Sequence, residues 1–246
     1  MRWIPVAILI GACLVLVGCS VMRRRLLYFP THSSQTNGLQ EWREGGVLMG
    51  YCRPVENPES VWLFAHGNGG QAADRVYALH AFSERDAIYI VEYPGYGLRP
   101  GRPSKASLDR AVREGYLSLR NKYPGKRVCV IAESIGSGPA SLLVQQPTPP
   151  DKLVLVVPFD TLKSVASEHA PLLPVGLVLG NTWDNVAALR TYKGPIDIYG
   201  ARDDTVIPVR HAKALADSLP QARFVAIAGG HNDWSQQPEV HFASHD

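Results

Sequence analysis

Apolar runs recur through the chain at Val61 to Ala65, Ala87 to Val91, Val128 to Ala132, Leu153 to Val157, Ile196 to Tyr199 and Phe224 to Ala228. They lack the polar alternation of a half-exposed strand, which marks strands buried on both faces. Between several of them lie segments with helical spacing: Ala72 to Glu84, Ser107 to Tyr123, Pro139 to Gln146 and Val209 to Ser218. Such helices are the crossovers that a parallel sheet requires. Glu41 to Arg53 reads as antiparallel strand material and is broken by the prolines at 54 and 58. The pattern predicts an α/β domain with a mostly parallel central sheet and helices on both faces. A chain of 246 residues has room for one such domain and little for a second.

In an open parallel sheet the reactive groups gather at the carboxyl ends of the strands. The run Val128 to Ala132 passes into Glu133-Ser134-Ile135-Gly136, and Pro139 onward can continue as a helix. Strand, serine and helix in this order describe a nucleophile elbow, whose sharp turn needs small residues two before and two after the serine. Ala132 and Gly136 meet that need, although alanine departs from the usual glycine. The first apolar run, Val61 to Ala65, leads into His66-Gly67-Asn68-Gly69-Gly70, a loop able to aim the Asn68 N-H at an oxyanion, with the N-H of Ile135 as the second donor. His66 reads as a structural residue, and the aromatics of Glu92-Tyr93-Pro94-Gly95-Tyr96-Gly97 read as loop packing.

Two aspartates follow a late strand, Asp203 and Asp204, and a histidine, His231, follows the last one after two glycines. A carboxylate there can hold an imidazole in the tautomer that a serine needs. Counted from Gly200 the position favours Asp203, and counted from Pro208 it favours Asp204. Asp204 is the preferred acid because the Asp-x-x-Ile-Pro half is better anchored. The stretch from about 159 to 185, rich in Pro, Leu and Val, predicts a small cap of one or two helices above these residues.

The net charge of +3 points to no nucleic-acid groove; its conspicuous cluster, Arg23 to Arg25, follows an apolar N-terminal segment. Residues 1–18 read as a signal peptide, and Leu16-Val17-Gly18-Cys19 resembles the bacterial lipobox, in which the cysteine is acylated and becomes the first mature residue. Residues 19–40 would then be anchor and linker, and 41–246 the folded domain. That resemblance, with Ser20 following, would imply outer-membrane sorting. The rival is an uncleaved helix to about Met22 in the inner membrane, which the basic cluster favours. Cys52 and Cys129 could approach each other, but no disulfide framework is expected, and no clustered Cys/His spacing implies a metal.

Ser134, Asp204 and His231 stand in the chain order of the α/β hydrolases. From about Leu26 to Trp234 the chain resembles a small membrane-associated branch of that superfamily that includes protein depalmitoylases. The resemblance is carried by Leu-Leu-Tyr-Phe-Pro-Thr, His-Gly-Asn-Gly-Gly, Glu-Tyr-Pro-Gly-Tyr-Gly, Pro-Phe-Asp-Thr-Leu, Asp-Asp-Thr-Val-Ile-Pro and Gly-Gly-His-Asn-Asp. Arg99 departs from it, standing where relatives often carry serine. The resemblance implies a membrane-tethered serine hydrolase acting on carboxylic esters or thioesters, with no cofactor. A peptidase or acyltransferase would use the same residues, and a lipid-anchored scaffold would keep the fold without turnover.

Overall fold

The computed structural model describes residues 27–172, 174–180 and 182–242. The signal-peptide, lipobox and membrane-helix expectations, with Cys19 and Arg23 to Arg25, lie outside the described residues. Among the described residues no helix is long and apolar enough to cross a membrane.

Eight strands form one sheet: β1 (Gln40–Glu44), β2 (Val47–Arg53), β3 (Ser60–Ala65), β4 (Ala87–Val91), β5 (Arg127–Glu133), β6 (Leu153–Val156), β7 (Ile196–Ala201) and β8 (Ala222–Ile227). Their spatial order is β8-β7-β6-β5-β3-β4-β2-β1. β3 to β8 run parallel, while β2 is antiparallel to both β4 and β1. The parallel sheet places the ends of β3, β5, β7 and β8 along one rim, which is where the candidate residues follow.

Both faces are buried, as the continuous apolar runs require. Val61, Leu63, Ala65, Val128, Val130 and Ala132 contribute to one core, and Trp62, Phe64, Cys129 and Ile131 to the other. The first core is covered by α1 (Lys105–Lys122), which turns Leu108, Ala111, Val112, Tyr116 and Leu119 inward at helical spacing. Ser104 caps this helix, its Oγ accepting the Ser107 N-H at 3.1 Å. The second face is covered by a 3-10 segment, Ala72–Ala81, and by the C-terminal stretch carrying Trp234 and Phe242. Phe242 is tied back by its N-H to the Ala81 carbonyl at 2.8 Å.

Three expectations are corrected. The helix expected over 72–84 is a 3-10 segment ending at Ala81, because Phe82 leaves it extended to bridge Phe242. The helix expected from Pro139 begins earlier, as a 3-10 turn at Ser134–Gly136 that continues into α2 (Ser137–Ser141) and a further 3-10 turn, Leu142–Gln145. A Cys52-Cys129 pair is excluded by geometry. The two thiols belong to opposite faces, and β3 and β4 lie between their strands. Three strand spacings amount to roughly 14 Å, about twice the reach of a disulfide.

Candidate active site

β5 delivers Ser134 at its carboxyl end with φ +52°, the left-handed backbone of a sharp elbow. Gly136 makes the turn possible. A Cβ at that position would stand 2.2 Å from the Ala65 carbonyl oxygen and 2.7 Å from that of His66. The elbow therefore presses directly on the end of β3. Ala132 is fully buried, paired in register with Ala65, and its methyl faces the core rather than this contact. The alanine is compatible with the elbow for that reason.

The residues that the chain separates are brought together here. His231 Nε2 lies 2.9 Å from Ser134 Oγ, and Nδ1 lies 2.7 Å from Asp204 Oδ2. A carboxylate only accepts, so Nδ1-H donates to Asp204 and Nε2 is left to accept the serine proton. The Asp204 carboxyl is fully enclosed, and its Oδ1 accepts the N-H groups of Val206 at 2.8 Å and Ile207 at 2.7 Å. Asp203 is exposed, and its backbone N-H goes to the Gly229 carbonyl. Gly229 at φ +77° and the Gly230 N-H on Asp233 Oδ2 at 2.8 Å shape the turn that presents His231.

Asn68 and Ile135 line the same cavity as Ser134 and His231. The Ile135 N-H falls in the first turn of its helical segment, where no intrahelical acceptor exists. Asn68 is held by its side chain, whose Oδ1 accepts from Tyr96 Oη at 3.0 Å and from the Phe29 N-H at 3.3 Å. The loop gains a short parallel pairing of Gly69–Gly70 with Phe29–Pro30. His66 is structural: fully buried, it packs at 4.2 Å between ring centroids on Tyr93, with Nδ1 at 2.7 Å from the Gly67 carbonyl. Tyr93 and Tyr96 are buried loop packing, and burial raises both phenol pKa values. Arg99 donates to the Glu92 carbonyl at 2.8 Å and is not part of the cavity wall.

Sequence reasoning passed over Arg75 and Glu133. Both are buried beneath the Gly67 loop and form an ion pair at 3.1 Å. Burial alone would raise the Glu133 carboxyl, but the Arg75 guanidinium and the Gly67 N-H outweigh it and hold it below the ordinary carboxylate value. The available signal was a lone glutamate closing an otherwise apolar strand.

The cavity has a volume of about 790 Å³. Leu27, Phe159, Leu162, Val165 and Ile207 give it an apolar side, and Phe29 and Val206 are exposed. Within 159–185 lie two short helices: α3 (Leu162–His169) lines the cavity with Leu162, Val165, Ala166 and His169, and α4 (Val175–Leu179) packs against α3. This stretch is pinned at both ends. His211, on α6 (Val209–Asp217, after α5 at Asn185–Leu189), sits 2.8 Å from Asp160 and 3.1 Å from Glu168, while Trp183 Nε1 donates to Asp109 at 2.7 Å.

Solved structures share this fold. An esterase from Pyrococcus furiosus matches with TM-score 0.62 and 15% identity, over 85% of this chain and 93% of that one. An α/β hydrolase from Vibrio vulnificus matches with TM-score 0.61 and 19% identity, over 76% and 71%. The chain has the fold of the α/β hydrolases. No protein-family model matches the chain. In sequence it is 29% identical to an uncharacterized protein of Mycobacterium tuberculosis, over 86% of this chain and 81% of that protein. It is 26% identical to a lysophosphatidylserine lipase, ABHD12, of Danio rerio, over 74% of this chain. The chain spans about half the length of that lipase, 53%.

Proposed function

We propose that the protein is a serine hydrolase that cleaves carboxylic ester or thioester bonds through an acyl-enzyme. The reading rests on the hydrogen-bonded run from Ser134 Oγ through the His231 imidazole to the enclosed Asp204 carboxylate, at the wall of a cavity with an apolar side. Its likeness in sequence to a lipase and in fold to an esterase supports ester chemistry over the other acyl transfers that the same residues permit. In the proposed cycle Ser134 Oγ attacks the acyl carbonyl while its proton passes to His231 Nε2. The N-H groups of Asn68 and Ile135 receive the oxyanion, and His231 returns the proton to the departing alcohol or thiol. Water then attacks the acyl-serine, giving its proton to His231, and the carboxylic acid leaves as Ser134 recovers its hydrogen.

A fluorophosphonate probe tests this by forming a covalent bond to an activated serine. Wild type is expected to gain one adduct, mapped to Ser134, and to hydrolyse p-nitrophenyl esters; Ser134→Ala is expected to do neither. A folded wild type that neither labels nor turns over would support the scaffold reading instead.

The tether belongs to the same proposal, with Cys19 as an acylated first residue that keeps the domain beside a bacterial membrane, in outer-membrane sorting, where acyl substrates are presented. Mass spectrometry of the mature N-terminus is expected to find Cys19 carrying lipid. An intact Met1 would overturn the lipoprotein and favour the uncleaved inner-membrane helix.

A further inference from the structure

Glu133 directly precedes Ser134 and contacts both the Gly67 loop and the turn that follows His231. Its Oε2 accepts the Gly67 N-H at 2.9 Å and lies 3.1 Å from Arg75 Nε. Its Oε1 accepts from Tyr77 Oη at 3.2 Å and from Trp234 Nε1 at 3.3 Å, and Trp234 stands on the turn just after His231. Arg75 Nη2 in turn donates to the Gly67 carbonyl at 3.3 Å and to the Gly69 carbonyl. The pair thus grips the backbone on both sides of Asn68.

The Gly67 carbonyl and the Asn68 N-H belong to one peptide plane. In a trans peptide they point in opposite directions, so the donors that fix the carbonyl, His66 Nδ1 at 2.7 Å and Arg75 Nη2 at 3.3 Å, also aim the N-H. Gly67 must be glycine for the carboxylate to come so close, because a Cβ there would stand 2.9 Å from Glu133 Cδ. The closeness has an electrostatic consequence. A buried carboxylate beside a developing oxyanion opposes it, and the guanidinium offsets that charge without entering the reaction.

We propose that Arg75 and Glu133 are a positioning pair that orients the Asn68 N-H toward the oxyanion and keeps the carboxylate beneath it charge-balanced. This rests on the hydrolase reading above. Neither residue takes or gives a proton in the cycle. Their effect is on the transition state, so it falls on kcat rather than KM.

Steady-state hydrolysis of a p-nitrophenyl ester by the full chain tests the pair, with thermal melts to establish folding. Arg75→Met is expected to lower kcat about 100-fold, the scale of a lost oxyanion donor, with KM within about threefold of wild type. Glu133→Gln keeps an acceptor for the Gly67 N-H and is expected to lose about tenfold. The double variant removes the unbalanced carboxylate and is expected to turn over at least about fivefold faster than Arg75→Met. A merely structural role does not produce that recovery. Should Arg75→Met fail to fold, Arg75→Lys and Glu133→Gln carry the test. Lysine keeps the charge but not the planar fork, so each is expected to lose about tenfold in kcat at unchanged KM.

The proposal is overturned if the folded variants keep kcat within about threefold of wild type. It is equally overturned if the loss appears in KM, which would make Arg75 a substrate ligand, or if the double variant is no faster than Arg75→Met. Absent turnover and labelling in wild type would instead sink the hydrolase reading and this inference with it.

Discussion

Asp204→Asn is expected to lower kcat on an ester substrate by about 10⁴-fold, while Asp203→Asn stays within a few-fold of wild type. Asparagine at 204 can still accept the Val206 and Ile207 N-H groups through its amide oxygen, so the loop that those bonds shape is retained. What changes is the partner of His231 Nδ1, now 2.7 Å from a carboxylate oxygen. An amide NH₂ placed there donates to Nδ1 and forces the ring proton onto Nε2, the nitrogen that must accept from Ser134. Asp203 is exposed and contributes to the site only through its backbone N-H on Gly229, which asparagine leaves intact. Steady-state kinetics of both variants, with melting temperatures close to wild type, make the comparison. The reverse ranking would transfer the role to Asp203.

Gly136→Ala is expected to cost about 3–5 kcal/mol of stability, lowering the melting temperature by roughly 10 °C or preventing folding. The added methyl meets the Ala65 carbonyl oxygen at 2.2 Å and the His66 carbonyl oxygen at 2.7 Å. Neither can retreat easily. Ala65 is held in the sheet by its register with Ala132, and His66 by its contacts with Tyr93 and Gly67. Gly69→Ala is the control. A Cβ there meets nothing within 4 Å, so a change within about 1 kcal/mol is expected. Thermal or urea unfolding reads both, and equal melting temperatures would mean that the elbow does not depend on this close approach.

Much of the layer order was legible along the chain because burial on both faces leaves a pattern that needs no partner to be recognised. Val128 to Ala132 is apolar at every position and became the strand that bears Ser134, and Val61 to Ala65 likewise became its neighbour. Segment ends were less legible. The pressure of Gly136 on Ala65 begins the helical segment at the serine rather than at Pro139, and that pressure exists only between strands distant in sequence. The bridge from Phe82 to Phe242 shortened another helix in the same way.

The candidate site divides along the same line. Ser134 and His231 could be picked out from the sequence because each follows an apolar run with glycines around it, a local signature of a turn that must expose one side chain. Asp203 and Asp204 carry the same chemistry one residue apart, in a turn beyond the end of β7 where no strand period says which way each faces. Which of them faces inward is a matter of the loop that Val206 and Ile207 close, and the enclosed carboxylate at His231 belongs to Asp204. Arg75 and Glu133 were invisible because a charge is unremarkable in a sequence until its surroundings are known. Sequence alone determined the buried strands, the helices near 105–122 and 209–217 and the types of group at the rim, since hydrophobic burial and turn chemistry are local. The tertiary structure decided which polar groups meet, because hydrogen bonds and ion pairs act over about 3 Å between residues that the chain holds far apart.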